Sequence, residues 1–241
     1  MNESYSALGS WFEYLNKDCD YYSWSQYLIK GLCDIKSGSR GVDIGCGNGY
    51  FTRALNKAGY DVCGVDISPS MLSVAKTKAA AEGVRCEFLL GDITKLKLTG
   101  KVDFAVAIND CLNYVSPDKL KSAFSHVYSS LKKGGKFLFD ISSSNKLRNI
   151  IGENMFGEDG EDISYMWFNK QTPDGVIMDL TFFVKGKDGR YSRYDERHVQ
   201  YAHEEGDIVR ILSEVGFHDI TSCGHLGGED KSERINFAAV K

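Results

Sequence analysis

Short apolar runs recur through the first part of the chain, and each ends in a polar or acidic residue. Val42, Asp43 and Ile44 run into Gly45-Cys46-Gly47-Asn48-Gly49, and Tyr50-Phe51 then open a helical stretch. Asp61 to Ile67 form a second run broken by Asp66, and Cys86 to Ile93 form a third that contains Gly91-Asp92. Val102 to Ile108 run out into Asn109-Asp110, and the Gly134-Gly135 turn feeds a fifth run, Phe137 to Asp140. Between them lie segments with helical spacing. Ser68-Pro69 is an N-cap followed by a first-turn proline, ahead of Met71, Leu72, Val74 and Ala75. Ser116-Pro117 repeats the device before Leu120, Ala123, Phe124, Val127 and Leu131. Strands alternating with helices predict a parallel sheet, with its ligand site along the edge where the strands end.

The pattern changes near residue 152. Gly152 to Asp162 is acidic and glycine-rich and reads as an exposed loop. Three strand-like stretches follow: Ile163 to Lys170, Val176 to Lys185 and Arg190 to Ala202. Pro173-Asp174-Gly175 joins the first two, and Lys187-Asp188-Gly189 joins the last two. Turns this tight imply an antiparallel piece. Met178, Leu180, Phe182 and Val184 share one face. On the last stretch Tyr194, Glu196 and His198 share a face, and Arg193, Asp195 and Arg197 share the other. The Arg-Asp-Arg face reads as solvated, with cross-strand ion pairs. The Tyr194, Glu196 and His198 face is either solvated too or a set of contacts to a substrate. In the second case His198 is a candidate general base or orienting group, because its ordinary pKa lies near neutrality.

The glycine turn carries the chemistry. Alternate glycines let the backbone turn sharply and let a ligand approach it, and the helix that follows has free N–H groups at its start. A dinucleotide fingerprint asks for G-x-G-x-x-G, but Tyr50 stands where its third Gly would be. Asp43, two positions before Gly45, would repel a pyrophosphate and favour an ammonium group. Asp66 follows Gly45 by about 20 positions, the spacing at which a carboxylate ending the second strand meets ribose hydroxyls.

The series D-x-G-x-G-x-G, Asp66, Gly91-Asp92, Asn109 and Leu131-Lys132-Lys133-Gly134-Gly135 resembles the class I S-adenosylmethionine (SAM)-dependent methyltransferases. The likeness covers about residues 38–142 and resumes near 204–241, where a helix and two strands would finish the sheet. The resemblance implies an α/β, Rossmann-like, doubly wound, mostly parallel seven-stranded sheet with helices on both faces, plus an inserted antiparallel β lid. Residues 1–151 and 204–241 would form the SAM-binding core with an N-terminal helical lid. Residues 152–203 would be the insert that covers the substrate. Asp43 and the turn Gly45, Cys46, Gly47, Asn48, Gly49 would hold the amino-acid end of SAM. Asp66 would take the ribose hydroxyls. Gly91 and Asp92 would lie at the adenine, with Ile67, Met71 and Ile93 packing on the ring, and Asn109 would lie beside the transferred methyl. Small-molecule members often carry Tyr-x-x-hydrophobic-Ala-x-x-Tyr-Asp near the start. Here Tyr5 matches and could close over the cofactor, Gly9 stands for Ala, and Phe12-Glu13 stand for Tyr-Asp. Trp24 and Tyr27 read as anchors that pack a helix on the sheet.

The resulting expectation is methyl transfer from SAM to nitrogen or oxygen of a small polar metabolite, leaving S-adenosylhomocysteine (SAH). A non-catalytic SAM or SAH binder would carry the same motif, and an NAD-dependent oxidoreductase is a third reading. Composition narrows the partners. Net charge is −4 and no run of Lys or Arg suggests a phosphate-backbone footprint, so nucleic acid is not expected as substrate. The apolar stretches are too short to span a bilayer, and the N-terminus does not resemble a signal peptide, which predicts a cytoplasmic protein without a membrane partner. The seven cysteines are scattered, with no C-x-x-C, and read as reduced thiols with no metal site. Cys111 is flanked by Asp110 and Leu112 rather than by proline, and reads as a small packing residue, not a nucleophile.

Overall fold

The computed structural model describes residues 16–17 and 19–241. Five strands run parallel: β1 (Arg40–Ile44), β2 (Asp61–Asp66), β3 (Glu87–Leu90), β4 (Val102–Ala107) and β5 (Leu131–Ser142). Two more, β10 (His218–Cys223) and β11 (Arg234–Val240), complete a seven-stranded sheet in the order β10-β11-β5-β4-β1-β2-β3. β11 is antiparallel to both of its neighbours. The order reverses direction at β1 and β4, which creates the crevice where open α/β sheets bind ligands.

Helices cover both faces. α1 (Tyr21–Gly31) and α2 (Tyr50–Lys57) bury Trp24, Leu28, Phe51 and Leu55 against Val62, Phe104 and Val106. Trp24 thus anchors α1 on the sheet, as expected of it from the sequence. α3 (Pro69–Ala81) packs Leu72, Ala75 and Ala79 on Phe88. On the opposite face α4 (Pro117–Ser130) and α5 (Glu205–Val215) pack Phe124, Val127 and Leu212 onto Phe137 and Phe139. The Ser68 cap forms, its hydroxyl accepting from the Met71 N–H, with Pro69 at the first helical position. No helix among the described residues is long and apolar enough to cross a membrane.

The second sheet is antiparallel, in the order β6-β7-β8-β9, with strands Met155–Asp159, Ile163–Thr172, Gly175–Lys185 and Tyr191–Tyr201. Three of these match the predicted strands. β6 corrects the sequence reading, because residues read as loop pair in register with β7 from Met155↔Phe168 to Asp159↔Ser164. The physical reason is that an edge strand needs only one hydrogen-bonded neighbour. Glycine and acidic residues on its free side are what a protected edge carries, and they imitate a loop. Met178, Leu180, Phe182 and Val184 are buried together against Leu147 and Ile151, which belong to a π turn, Lys146–Ile151. The outer face of β9 carries Arg193–Asp195 and Arg197–Asp179 ion pairs at 2.8 and 2.6 Å, exposed and so contributing little stability.

Asn113 joins the two sheets. It is fully buried. Its Nδ2 donates to the Ser142 carbonyl at 3.1 Å and the Tyr201 carbonyl at 2.9 Å, while its Oδ1 accepts from the Ser142 N–H at 2.8 Å.

Candidate functional site

The glycine turn leaves β1 in left-handed steps: Gly45, Gly47 and Gly49 have φ of 69°, 53° and 74°. At Gly45 an added Cβ would run into the Cys111 sulfur, and at Gly49 it would stand 2.7 Å from the Phe88 ring. Both positions therefore need glycine for conformation and for space. The contact also explains Cys111: it is a small side chain that closes the floor under Gly45. Burial pushes its thiol well above the ordinary range, with the Asp66 and Asp43 carboxylates adding to the effect, so it is no nucleophile at neutral pH. Cys46 and Asn48 are likewise buried in the turn.

Asp43 lies beneath this turn, 1% exposed, its carboxylate accepting from the Thr52 hydroxyl at 2.6 Å. Burial pushes its pKa up to about 7, against the Thr52 bond and with a further push from Asp66. Asp66 ends β2. Its Oδ2 accepts from the Gly47 N–H and its Oδ1 from the Ser68 N–H, both at 2.8 Å. Burial raises its pKa, and the Ser68 and Gly47 amides counter the rise. The carboxylate is thus clamped beside the turn with lone pairs to spare.

At the end of β3, Asp92 accepts from both the N–H and the hydroxyl of Thr94 through Oδ1, each at 2.8 Å. Gly91 lies against Val65, and a Cβ there would stand 2.8 Å from it. Of the three apolar residues expected at a ring, Ile67 is 68% exposed, whereas Met71 and Ile93 are buried, Met71 with its methyl under Gly47. Leu90, 65% exposed at the same edge, is an apolar group that sequence reasoning passed over; an apolar residue at the very end of a strand was its signal. Tyr5 and the aromatic motif around it lie outside the described residues.

Asn109 and Asp110, after β4, are both left-handed, with φ of 63° and 55°. Asn and Asp tolerate this conformation better than other side chains. The turn is held from below, since the two oxygens of Asp140 accept the N–H groups of Asn109 at 2.6 Å and Asp110 at 3.1 Å. Arg234 pairs with Asp140 and, at 3.2 Å, with Asp110, and its guanidinium lies 5.8 Å over the Trp24 ring. Burial works against the Arg234 charge, but Asp140 and Asp110 hold its pKa above its ordinary value. Burial pushes Asp140 up and Arg234 pulls it back. Gln200 of β9 donates to Asp110 at 2.5 Å. This network was not apparent in the sequence, although Asp140 ends a strand as Asp66 does, and Arg234 is a charged residue heading an apolar strand.

The face of β9 turned to the core carries Glu196, His198 and Gln200, all buried. His198 Nε2 lies 3.0 Å from Glu196 Oε2, and His198 Nδ1 lies 3.4 Å from the Tyr114 hydroxyl. Tyr194 is on the same face but 41% exposed, because the outer end of β9 extends past the core. The structure thus brings Glu196 and His198 together, and leaves Tyr194 apart.

The methyltransferase domain family matches residues 42–135. A Geobacillus sp. (strain WCH70) chain assigned as a methyltransferase is 34% identical over 99% of this chain and all of its own length. The structure is similar to a SAM-dependent methyltransferase from Clostridium acetobutylicum ATCC 824. That likeness has TM-score 0.85 and 32% identity over 95% of this chain and 94% of that one. It also shares its fold with the sugar N-methyltransferase KedS8 from Streptoalloteichus sp. ATCC 53650, with TM-score 0.80 and 17% identity over 100% and 94% of the two chains.

Proposed function

Because the chain belongs to the SAM-dependent methyltransferases, we propose that it methylates nitrogen or oxygen of a small polar metabolite by direct in-line displacement. The observation that carries this reading is the left-handed glycine turn with a clamped Asp66 beside it: backbone too close-packed for side chains, next to a carboxylate with lone pairs to spare. These residues fit SAM. Asp43 and the turn from Gly45 to Gly49 hold its amino-acid end, Asp66 its ribose, and Asp92 its adenine amino group, with Ile67 on the ring. Asn109 lies beside the methyl. Bound SAM supplies a methyl already activated by a sulfonium, so the chain needs no covalent nucleophile. Its task is alignment, which can be worth roughly 7–11 kcal/mol. Residues 152–203 cover the acceptor side. The full-length fold shared with a sugar N-methyltransferase supports a small acceptor. Seven unpaired cysteines suit a cytoplasmic protein.

The test is transfer of labelled methyl from SAM to a panel of amines, carboxylates and phenols. Transfer to at least one is expected. Micromolar SAM binding without transfer to any would instead favour the non-catalytic binder.

Asp43 gives a second, independent expectation. Its folded pKa, about 7, lies above its unfolded value, so folding favours the protonated form. That contribution is present at low pH and is lost as pH rises from about 4 through 7. An ammonium group bound against it favours the ionised form. Calorimetric titration of SAM at pH 6.5, in buffers of different ionisation enthalpy, should therefore show release of roughly half a proton or more. Asp43→Asn should abolish that release. Identical heats in all buffers for the wild type would remove Asp43 from the ammonium site.

A further inference from the structure

We propose that Tyr114 takes the proton that the methyl acceptor gives up, and that His198 and Glu196 behind it form the path that receives it. The proposal rests on the methyl-transfer reading above and adds to it the group at which the proton leaves.

Four observations converge. First, the three side chains form one hydrogen-bonded chain: Tyr114 hydroxyl to His198 Nδ1 at 3.4 Å, and His198 Nε2 to Glu196 Oε2 at 3.0 Å. A carboxylate only accepts, so Nε2 carries the hydrogen, and in the neutral imidazole Nδ1 is then the acceptor. That fixes the direction of the chain, with Tyr114 donating to His198 and His198 donating to Glu196. The chain draws protons inward from the phenol.

Second, its two ends differ in exposure. The side chains of His198 and Glu196 are 4% and 1% exposed, whereas Tyr114 is only half-buried. A proton from a bound molecule therefore meets the phenol first.

Third, Tyr114 closes the short turn Cys111–Tyr114 that directly follows Asn109 and Asp110. The start of that turn is pinned to the glycine cradle through Cys111 under Gly45. Its middle is pinned to both sheets through Asn113. The phenol thus sits on a rigid element at the carboxyl ends of the strands, between the donor cradle and the insert. Its ring meets the His198 ring edge-on, with centroids 6.0 Å apart, which fixes the orientation of the imidazole.

Fourth, a Glu–His pair on the buried face of a strand is costly to desolvate even when it is hydrogen-bonded. The neighbouring β8 residues on that face, Met178 and Leu180, are apolar, so packing alone would have been served by apolar residues here too.

The step balances as follows. A neutral amine nitrogen forms the new N–C bond with its lone pair, and the C–S bond breaks with its pair going to sulfur. The methylated nitrogen, now cationic, passes a proton to the Tyr114 oxygen as the Tyr114 proton moves to His198 Nδ1. His198 becomes an imidazolium facing the Glu196 carboxylate, and the proton later returns to solvent through Tyr114. For a hydroxyl acceptor the same transfer accompanies formation of the C–O bond. Tyr114 is the catalytic residue, and His198 and Glu196 act through it as positioning residues.

One readout needs no knowledge of the acceptor. In the full chain with 15N-labelled histidine, long-range proton–nitrogen correlation spectra report the tautomer of His198, assigned by the spin system lost in His198→Gln. The neutral Nε2–H tautomer is expected, and Tyr114→Phe should shift the Nδ1 resonance toward that of a nitrogen with no hydrogen bond. An Nδ1–H tautomer, or an Nδ1 resonance that Tyr114→Phe leaves in place, would overturn the proposal. The second readout uses an acceptor found in the labelled-methyl panel. Tyr114→Phe should lower kcat about 10²- to 10⁴-fold. Acceptor KM should change little, and the calorimetric Kd for SAM should stay within about twofold. Glu196→Gln, which keeps the shape and removes the charge, should fall between the two. A kcat for Tyr114→Phe within about threefold of wild type would overturn the proposal even with SAM binding intact. Loss of SAM binding in the wild-type chain would instead strike the underlying reading.

Discussion

Asp66→Ala is expected to weaken SAM binding about 100-fold while leaving a folded protein. The carboxylate is 9% exposed and each oxygen already accepts one backbone N–H, from Gly47 or Ser68. Those two bonds fix its plane, so the remaining lone pairs would meet the vicinal diol of the proposed ribose site without reorganisation. A hydrogen bond to a charged group contributes about 1.5–3 kcal/mol. Losing the two ribose contacts proposed for Asp66 would therefore cost at least about 100-fold in Kd, since each 1.4 kcal/mol is tenfold. The alanine variant also leaves the Gly47 and Ser68 amides without their acceptor, which should lower stability by about 1–3 kcal/mol. Calorimetric titration of SAM and SAH, with thermal unfolding of the same samples, separates the two effects. An unchanged Kd in the variant would show that the ribose does not sit at Asp66.

Arg234→Met should destabilise the fold by about 3–5 kcal/mol at pH 8, which is the cost of leaving a buried charge without its partner. Asp140 is fully buried, and Arg234 is its cationic partner among the described residues. With the guanidinium gone, burial raises the folded pKa of Asp140 further above its unfolded value. Folding then takes up a proton, so stability falls as pH rises through the interval between the two values. The loss should accordingly be full at pH 8 and smaller at pH 5. Asp140→Asn combined with Arg234→Met should recover part of it, because no charge is then stranded. Urea unfolding at both pH values measures the effect. A loss below about 1 kcal/mol at pH 8 would mean that the guanidinium does not carry the buried charge. A functional consequence accompanies the structural one. The left-handed turn at Asn109 and Asp110 is held by Asp140, Arg234 and Gln200. Loosening it should lower turnover more than it lowers SAM affinity.

These two residues also mark what a sequence can and cannot disclose here. The place of Asp66 at the end of β2 beside the glycine turn was legible because its neighbours are local: strand, glycine turn and capped helix follow one another, and the physics that joins them acts over a few residues. The same holds for the apolar face of β8 and the ion-paired face of β9, where period-two alternation states which side meets the core. The Arg234 network was not legible. Its partners lie 94 and 124 positions away, and only the antiparallel return of β11 beside β5 brings them together. Tyr114 and His198 are 84 positions apart and meet for a similar reason. β6 was hidden differently. Its pairing depends on the partner strand, not on its own composition, so a glycine-rich acidic stretch passed for a loop. Met71 and Ile93 were read from their position near a ring site, and their burial is set by the helix and the short turn that carry them.

The pair of hydrogen bonds from Asn113 to the Ser142 and Tyr201 carbonyls has a consequence for how this chain can vary. The excursion from residue 143 to residue 200 starts and finishes within reach of a single amide. Its two ends are therefore brought together by the parent sheet and one side chain, whatever lies between them. The entropy of closing such a loop grows only with the logarithm of its length, about 0.6 kcal/mol for each doubling. Lengthening, shortening or rewriting the strands beyond that knot, with Gln200 kept on Asp110, leaves the glycine turn and Asp66, which are built from earlier residues, standing where they are. The grip on one ligand is in this way insulated from experiment with the other.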